Sequence, residues 1–145
     1  MLSGLLLTFT LVLLNALFVA AEFALVKVRE AQLQAEPRSW ALLSRLALHM
    51  RRHLDEYLSA TQLGITFASL GLGWIGEPVV ARMLTTTMDA LGLPLSTEAA
   101  HSIALPIAFL FITTLHIVLG ELAPKSIAIQ HPRAISIATG PFLHG

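Results

Sequence analysis

The chain reads as an all-α membrane protein, with three transmembrane helices and one juxtamembrane amphipathic helix. Three observations predict this. Of 145 residues, 55% are hydrophobic and only 12% charged, where an ordinary soluble domain carries about 25% charge. Three uncharged apolar runs each match the roughly 20 residues a helix needs to cross about 30 Å of hydrocarbon. The basic residues gather between the first two runs, as they do in cytoplasmic loops. Nine basic and nine acidic residues leave no net charge, which removes the electrostatic case for a nucleic-acid partner. The absence of cysteine excludes a disulfide framework, a thiolate metal site and a cysteine nucleophile.

The first run extends uncharged from Leu2 to Ala21, and past Glu22 the helix is expected to reach about residue 26. A signal peptide is the alternative, but the run lacks a positive n-region and is too long for an h-region. A juxtamembrane helix is predicted over about 37–54, started by Glu36-Pro37. Trp40, Leu43, Ala47, Met50 and Leu54 form its apolar side, opposite Arg38, Arg45, His49 and Arg52. Such a helix lies in the inner headgroup layer or packs on the protein itself; the pattern fits both.

The second run, Tyr57–Gly76, is bounded by Asp55-Glu56 and Glu77-Pro78, and its helix is expected over about 57–81. Gly92-Leu93-Pro94 with Ser96-Thr97 reads as an external turn. The third run occupies 99–120, between Glu98 and Glu121. Lys27, Arg29, Arg38, Arg45, Arg51 and Arg52 separate the first two spans, whereas only Arg82 is basic between the second and third. Lys125 and Arg133 follow the third. This places the N-terminus outside and the C-terminus in the cytoplasm, in a multi-pass protein of the plasma (inner) membrane. The length allows one domain, which reads as the membrane part of a longer protein.

Polar groups inside a bilayer are costly and default to functional candidates. Thr8, Asn15 and Glu22 recur every seven residues on the first span. Gln62, Thr66, Ser69, Gly73 and Gly76 share a face of the second, and Thr113, His116 and Gly120 a face of the third. Any single Thr or Ser can simply bond its own backbone, and small residues often mark helix contacts. Three stripes with two carboxylates point instead to a polar cavity.

The most informative segment is Gly120-Glu121-Leu122-Ala123-Pro124-Lys125. Proline has no amide hydrogen, so Pro124 deprives the Gly120 carbonyl of its helical partner. Glycine also lets another group approach that oxygen closely. With Glu121 beside it, this is backbone and charge that membrane depth tolerates only at a cavity or a cation. Asn15, Thr66, Ser69, the Gly120 carbonyl and Glu121 form an all-oxygen set suited to Mg²⁺ or Ca²⁺, with Na⁺ a further candidate. A single membrane His, such as His116, more commonly makes a helix–helix hydrogen bond than a metal site.

Gly71-Leu72-Gly73-Trp74-Ile75-Gly76 matches the dinucleotide fingerprint by letter, but it lies in an apolar span and reads as a close-packing segment. H-E-x-x-H and G-x-S-x-G are absent. His116 and Glu121 have no nucleophile visible beside them, so no enzymatic activity is expected.

Three motifs, in order, are Asn15-Ala-Leu-Phe-Val-Ala-Ala-Glu-Phe-Ala-Leu-Val26, Ala60-Thr-Gln-Leu-Gly64 and Gly120-Glu-Leu-Ala-Pro-Lys125. Together they resemble the transmembrane domain of the CorC and cyclin M (CNNM) proteins, the family of HlyC/CorC-like hemolysin-family proteins, over nearly the whole chain. The resemblance implies a homodimer with three spans per subunit and a helical belt, exporting Mg²⁺ with coupling to Na⁺. It also implies cytoplasmic CBS domains that bind ATP and a CorC-type domain, expected after residue 145. The family's Gly-Glu-x-x-Pro-Lys element matches at Gly120, Glu121, Pro124 and Lys125. One serine of its first helix aligns with Asn15, while the next fall on Val19 and Ala21, which cannot coordinate. The asparagine-containing second helix aligns with Thr66 and Ser69. The expected metal set is thus Asn15, Thr66, Ser69, Gly120 and Glu121, supported by Glu22, Gln62, Pro124 and Lys125. The alternative is a non-transporting membrane anchor for a cytoplasmic regulatory module.

Overall fold

The computed structural model describes residues 2–35, 40–92 and 97–144, and among these there are helices and no strands. In chain order they are α1 (Leu2–Lys27), α2 (Glu30–Gln34), α3 (Ala41–Arg52), α4 (Leu54–Ala90) and α5 (Thr97–Leu115). A π-helical turn (His116–Leu122), α6 (Ala123–Gln130) and α7 (Pro132–His144) follow. Three continuous helical stretches, Leu2–Lys27, Leu54–Ala90 and Glu98–Gln130, are long and apolar enough to cross a membrane. The all-α architecture with three spans is as the sequence predicts.

The register of the bundle is set by small residues. Gly4 lies against Val79, Gly76 against Thr8, Gly71 against Leu11 and Gly64 against the Phe18 ring. As one partner number rises the other falls, so α1 and α4 run antiparallel. A Cβ at Gly64 would sit 2.5 Å from Phe18, and only glycine lets the two backbones come this close. The return helix α5 packs Ala104 and Ala108 on Ala81 of α4, while Ile112 joins Val12 and Leu72 in the centre. At the end of α4, Gly92 adopts φ +66°, the left-handed conformation that closes a helix and favours glycine. The rest of the external turn, from Leu93 to Ser96, lies outside the described residues.

The second and third spans differ from the sequence-based boundaries. Helix α4 starts at Leu54 and runs through Pro78 to Ala90, well past residue 81. Beyond Gly120 the helix continues through Pro124 to Gln130, because a local change of winding absorbs the missing proline amide.

Below the spans lies a second layer. Val28, Leu33, Ala47 and Ile137 form its core, the Ser44 hydroxyl donates to the Leu33 carbonyl, and Arg51 Nε donates to the Val28 carbonyl at 3.1 Å. The juxtamembrane helix therefore packs on the protein through Ser44, Ala47 and Met50. Trp40 precedes the helix and is half exposed, and Leu54 opens α4 after a break at His53. Residues 36–39, including the Glu36-Pro37 start and Arg38, lie outside the described residues.

Candidate functional site

Asn15 sits at the middle of α1 and is fully buried. Its Nδ2 donates to the Gly120 carbonyl at 3.0 Å, the oxygen whose partner in a regular α-helix would be the amide hydrogen that Pro124 lacks. Its Oδ1 accepts from Ser69 Oγ at 3.3 Å. Ser69 also lies 3.4 Å from His116 Nε2, and that nitrogen is 3.5 Å from a Glu121 carboxylate oxygen. Three spans thus contribute to one connected polar centre within the apolar bundle.

The π-helical turn organises it. Within the turn, the Ala123 amide bonds the Val118 carbonyl five residues back. In an α-helix, residues five apart point about 140° away from each other at 100° per residue. A π turn, with its i→i+5 bonds, aligns them instead, and so stacks Glu121 near His116. A Cβ at Gly120 would come 3.1 Å from Asn15 Nδ2 and 2.7 Å from the His116 ring, so the centre requires glycine here.

The remaining predicted residues fall elsewhere. Thr66 does not join the set: its hydroxyl donates to the Gln62 carbonyl of its own helix at 2.8 Å, and the residue is exposed. Gln62 and Glu22 lie side by side, a separate polar pair seven residues along α1 from Asn15. Pro124 is buried in the first turn of α6. Lys125 Nζ lies 4.5 Å over the Phe23 ring, a cation–π contact, rather than in the centre. Glu121 is about half exposed and lies nine residues before the end of the third apolar helical stretch. His116 was the residue the sequence undervalued. Its bond to Ser69 does cross two helices, but its link to Glu121 depends on the π turn, which the residue pattern does not announce.

No group of three or more His, Asp or Glu residues placed to hold a metal occurs among the described residues. The centre instead joins the Asn15 amide, the Ser69 hydroxyl, the Gly120 carbonyl and the His116 ring nitrogen, with the Glu121 carboxylate beside that nitrogen.

These features define a helical membrane domain with a buried polar centre formed where a broken third span meets the first. The chain belongs to the cyclin M family, whose transmembrane N-terminal domain matches residues 6–145. It is 45% identical over 138 residues to the UPF0053 protein YhdT of Bacillus subtilis (strain 168), covering 93% of this chain and 29% of that protein. It is 43% identical over 129 residues to YugS of the same organism, covering 89% and 30%. To the UPF0053 protein sll0260 of Synechocystis it is 35% identical over 136 residues, covering 94% and 30%. The chain thus spans about 30% of the length of these relatives. No solved structure matches it significantly.

Proposed function

We propose that this domain moves a divalent cation, Mg²⁺, out of the cytoplasm by alternating access in a homodimer, coupled to Na⁺. The observation that carries this reading is the Asn15–Gly120 contact at a π turn, midway along the first span. Irregular backbone at such depth is tolerated where it lines a cavity or meets an ion, and π turns recur at functional sites. A carbonyl oxygen has two lone pairs. Asn15 occupies one at Gly120, and the other, with Asn15 Oδ1 and Ser69 Oγ, offers neutral oxygens. Glu121 supplies charge, and Glu22 with Gln62 offers field or a Na⁺ site below. Mg²⁺ keeps several of its waters when bound, so a sparse protein set suffices.

Dimerisation is supported by polar groups in the apolar stretch of α4: Gln62 and Thr66 are exposed there, where a partner subunit would cover them. In this reading the N-terminus faces outward and the C-terminus the cytoplasm of a cell bounded by the plasma membrane. CBS and CorC-type domains follow, and ATP acts through them.

The test is Mg²⁺ flux in proteoliposomes. Asn15→Ala and Glu121→Ala are each expected to lower it about ten-fold or more, as loss of groups in or around a metal site does. Unchanged flux in both removes the site. The anchor reading draws on Asn15 already satisfying the Gly120 oxygen, and it predicts that Mg²⁺ leaves the thermal stability of the purified protein unchanged. A transported ion that binds the folded state raises it.

A further inference from the structure

A cavity of about 200 Å³ lies between α4 and α5, lined by Ser69, Gly73 and Glu77 on one side and by Phe109, Thr113 and His116 on the other. Ser69 and His116 belong to the polar centre, so the cavity begins where that centre ends. Ser69, Gly73 and Glu77 follow at four-residue steps on one face of α4, a rise of about 12 Å toward the end where Val79 meets Gly4. At Gly73 a Cβ would meet nothing within 4 Å, so the cavity wall is thinned there. Glu77 is partly buried, and no hydrogen bond or ion pair reaches its carboxylate among the described residues. Its neighbour Gly76 packs on Thr8 and Ile112, which places Glu77 level with the interior of the other two spans.

An unpartnered carboxylate at this depth is costly unless water or a cation reaches it. The volume holds several waters at about 30 Å³ each, enough for an ion that travels partly hydrated. We infer that this cleft is the outward limb of the ion path, and that Glu77 is a second cation station beyond the Asn15–Gly120 centre. The inference rests on the transport reading and adds a route and a residue to it.

No cysteine occurs in these 145 residues, so single-cysteine reporters placed in this domain are distinct within it. Thr113→Cys and Gly73→Cys would be exposed, in proteoliposomes, to a charged, membrane-impermeant thiosulfonate added on the outer side. Leu70→Cys, 67% exposed on the apolar surface, serves as the lipid-facing control. Because it is the thiolate that attacks the reagent, displacing its sulfinate, and an apolar setting suppresses the thiolate, both cleft reporters are expected to react about ten-fold or more faster than the control. Millimolar Mg²⁺ should slow them, and Glu77→Gln should abolish that protection. Cleft reporters as slow as Leu70→Cys, or protection unchanged by Glu77→Gln, overturn the inference. Protected, accessible reporters in a protein without Mg²⁺ flux would remove the transport reading while leaving Glu77 as a binding station. Flux with inaccessible reporters removes the route alone.

Discussion

Helix α1 meets its neighbours in two different ways. Along its seam with α4, glycines receive large apolar side chains: Gly64 faces the Phe18 ring and Gly4 faces Val79. At its seam with the π turn, a glycine instead receives a polar group, the Asn15 amide, on a backbone oxygen. The glycine contacts of the first seam depend on shape, and the polar tie across that seam, Ser69 Oγ to Asn15 Oδ1, belongs to the polar centre. The second depends on a backbone carbonyl that meets Asn15 at the π turn. Glycine in a membrane helix can thus admit a neighbour for packing or expose backbone for chemistry, and substitution separates the two uses.

The largest effect is expected from Gly120→Ala. The new methyl group would lie 2.7 Å from the His116 ring and 3.1 Å from Asn15 Nδ2, forcing apart both groups that organise the centre. Overpacking of this kind costs about 1–3 kcal/mol, and Mg²⁺ flux should fall to background. Thermal unfolding in detergent and proteoliposome flux read the two losses separately. Retained flux would mean that the carbonyl is a packing device after all.

Gly64→Ala should cost a similar amount of stability, about 1–3 kcal/mol, because the added carbon would sit 2.5 Å from the Phe18 ring. Flux per folded protein should be unchanged. Adding Phe18→Leu should recover part of the stability, since the smaller side chain makes room. A flux defect in Gly64→Ala that stability does not explain would erase the distinction between the seams.

How much of this was visible beforehand differs by residue. The three spans were legible because apolar runs of that length have few other fates. The Asn15–Gly120 encounter was half legible: a glycine four residues before a proline announces a free carbonyl, but not which side chain reaches it. The continuation of the third helix was not legible, because Glu121 and Pro124 resemble an end, whereas the π turn carries the helix on to Gln130. The Ser69–His116 contact needs the register between α4 and the third span, which the glycines of a single chain do not declare. In the second layer, Ala47 and Met50 of the expected apolar side are buried against the protein. Ser44 is also buried there, because it satisfies the Leu33 carbonyl.

That buried serine supplies a smaller effect. Ser44→Ala removes the hydroxyl that ties α3 to α2 and leaves the Leu33 oxygen without this donor, at a cost of about 1–2 kcal/mol. The loss should appear in unfolding and in faster amide exchange of the Glu30–Gln34 helix, with flux unaltered. An effect on flux would couple the inner layer to the polar centre.

The smallest effect concerns the residue the structure moved out of the predicted set. Thr66 precedes Ser69 by three positions, about 300° around the helix at 100° per residue, so the two differ by only some 60°. That offset suffices to turn Ser69 toward Asn15 while the Thr66 hydroxyl bonds the Gln62 carbonyl at 2.8 Å. A hydroxyl returned to its own helix contributes little. Thr66→Val should therefore shift stability by less than about 0.5 kcal/mol and leave Mg²⁺ flux unchanged, whereas Ser69→Ala should lower it. If Thr66→Val instead matched Ser69→Ala in flux at unchanged stability, its oxygen would have to act across the subunit boundary. The exposed face of α4 would then be part of the ion path rather than its outer wall.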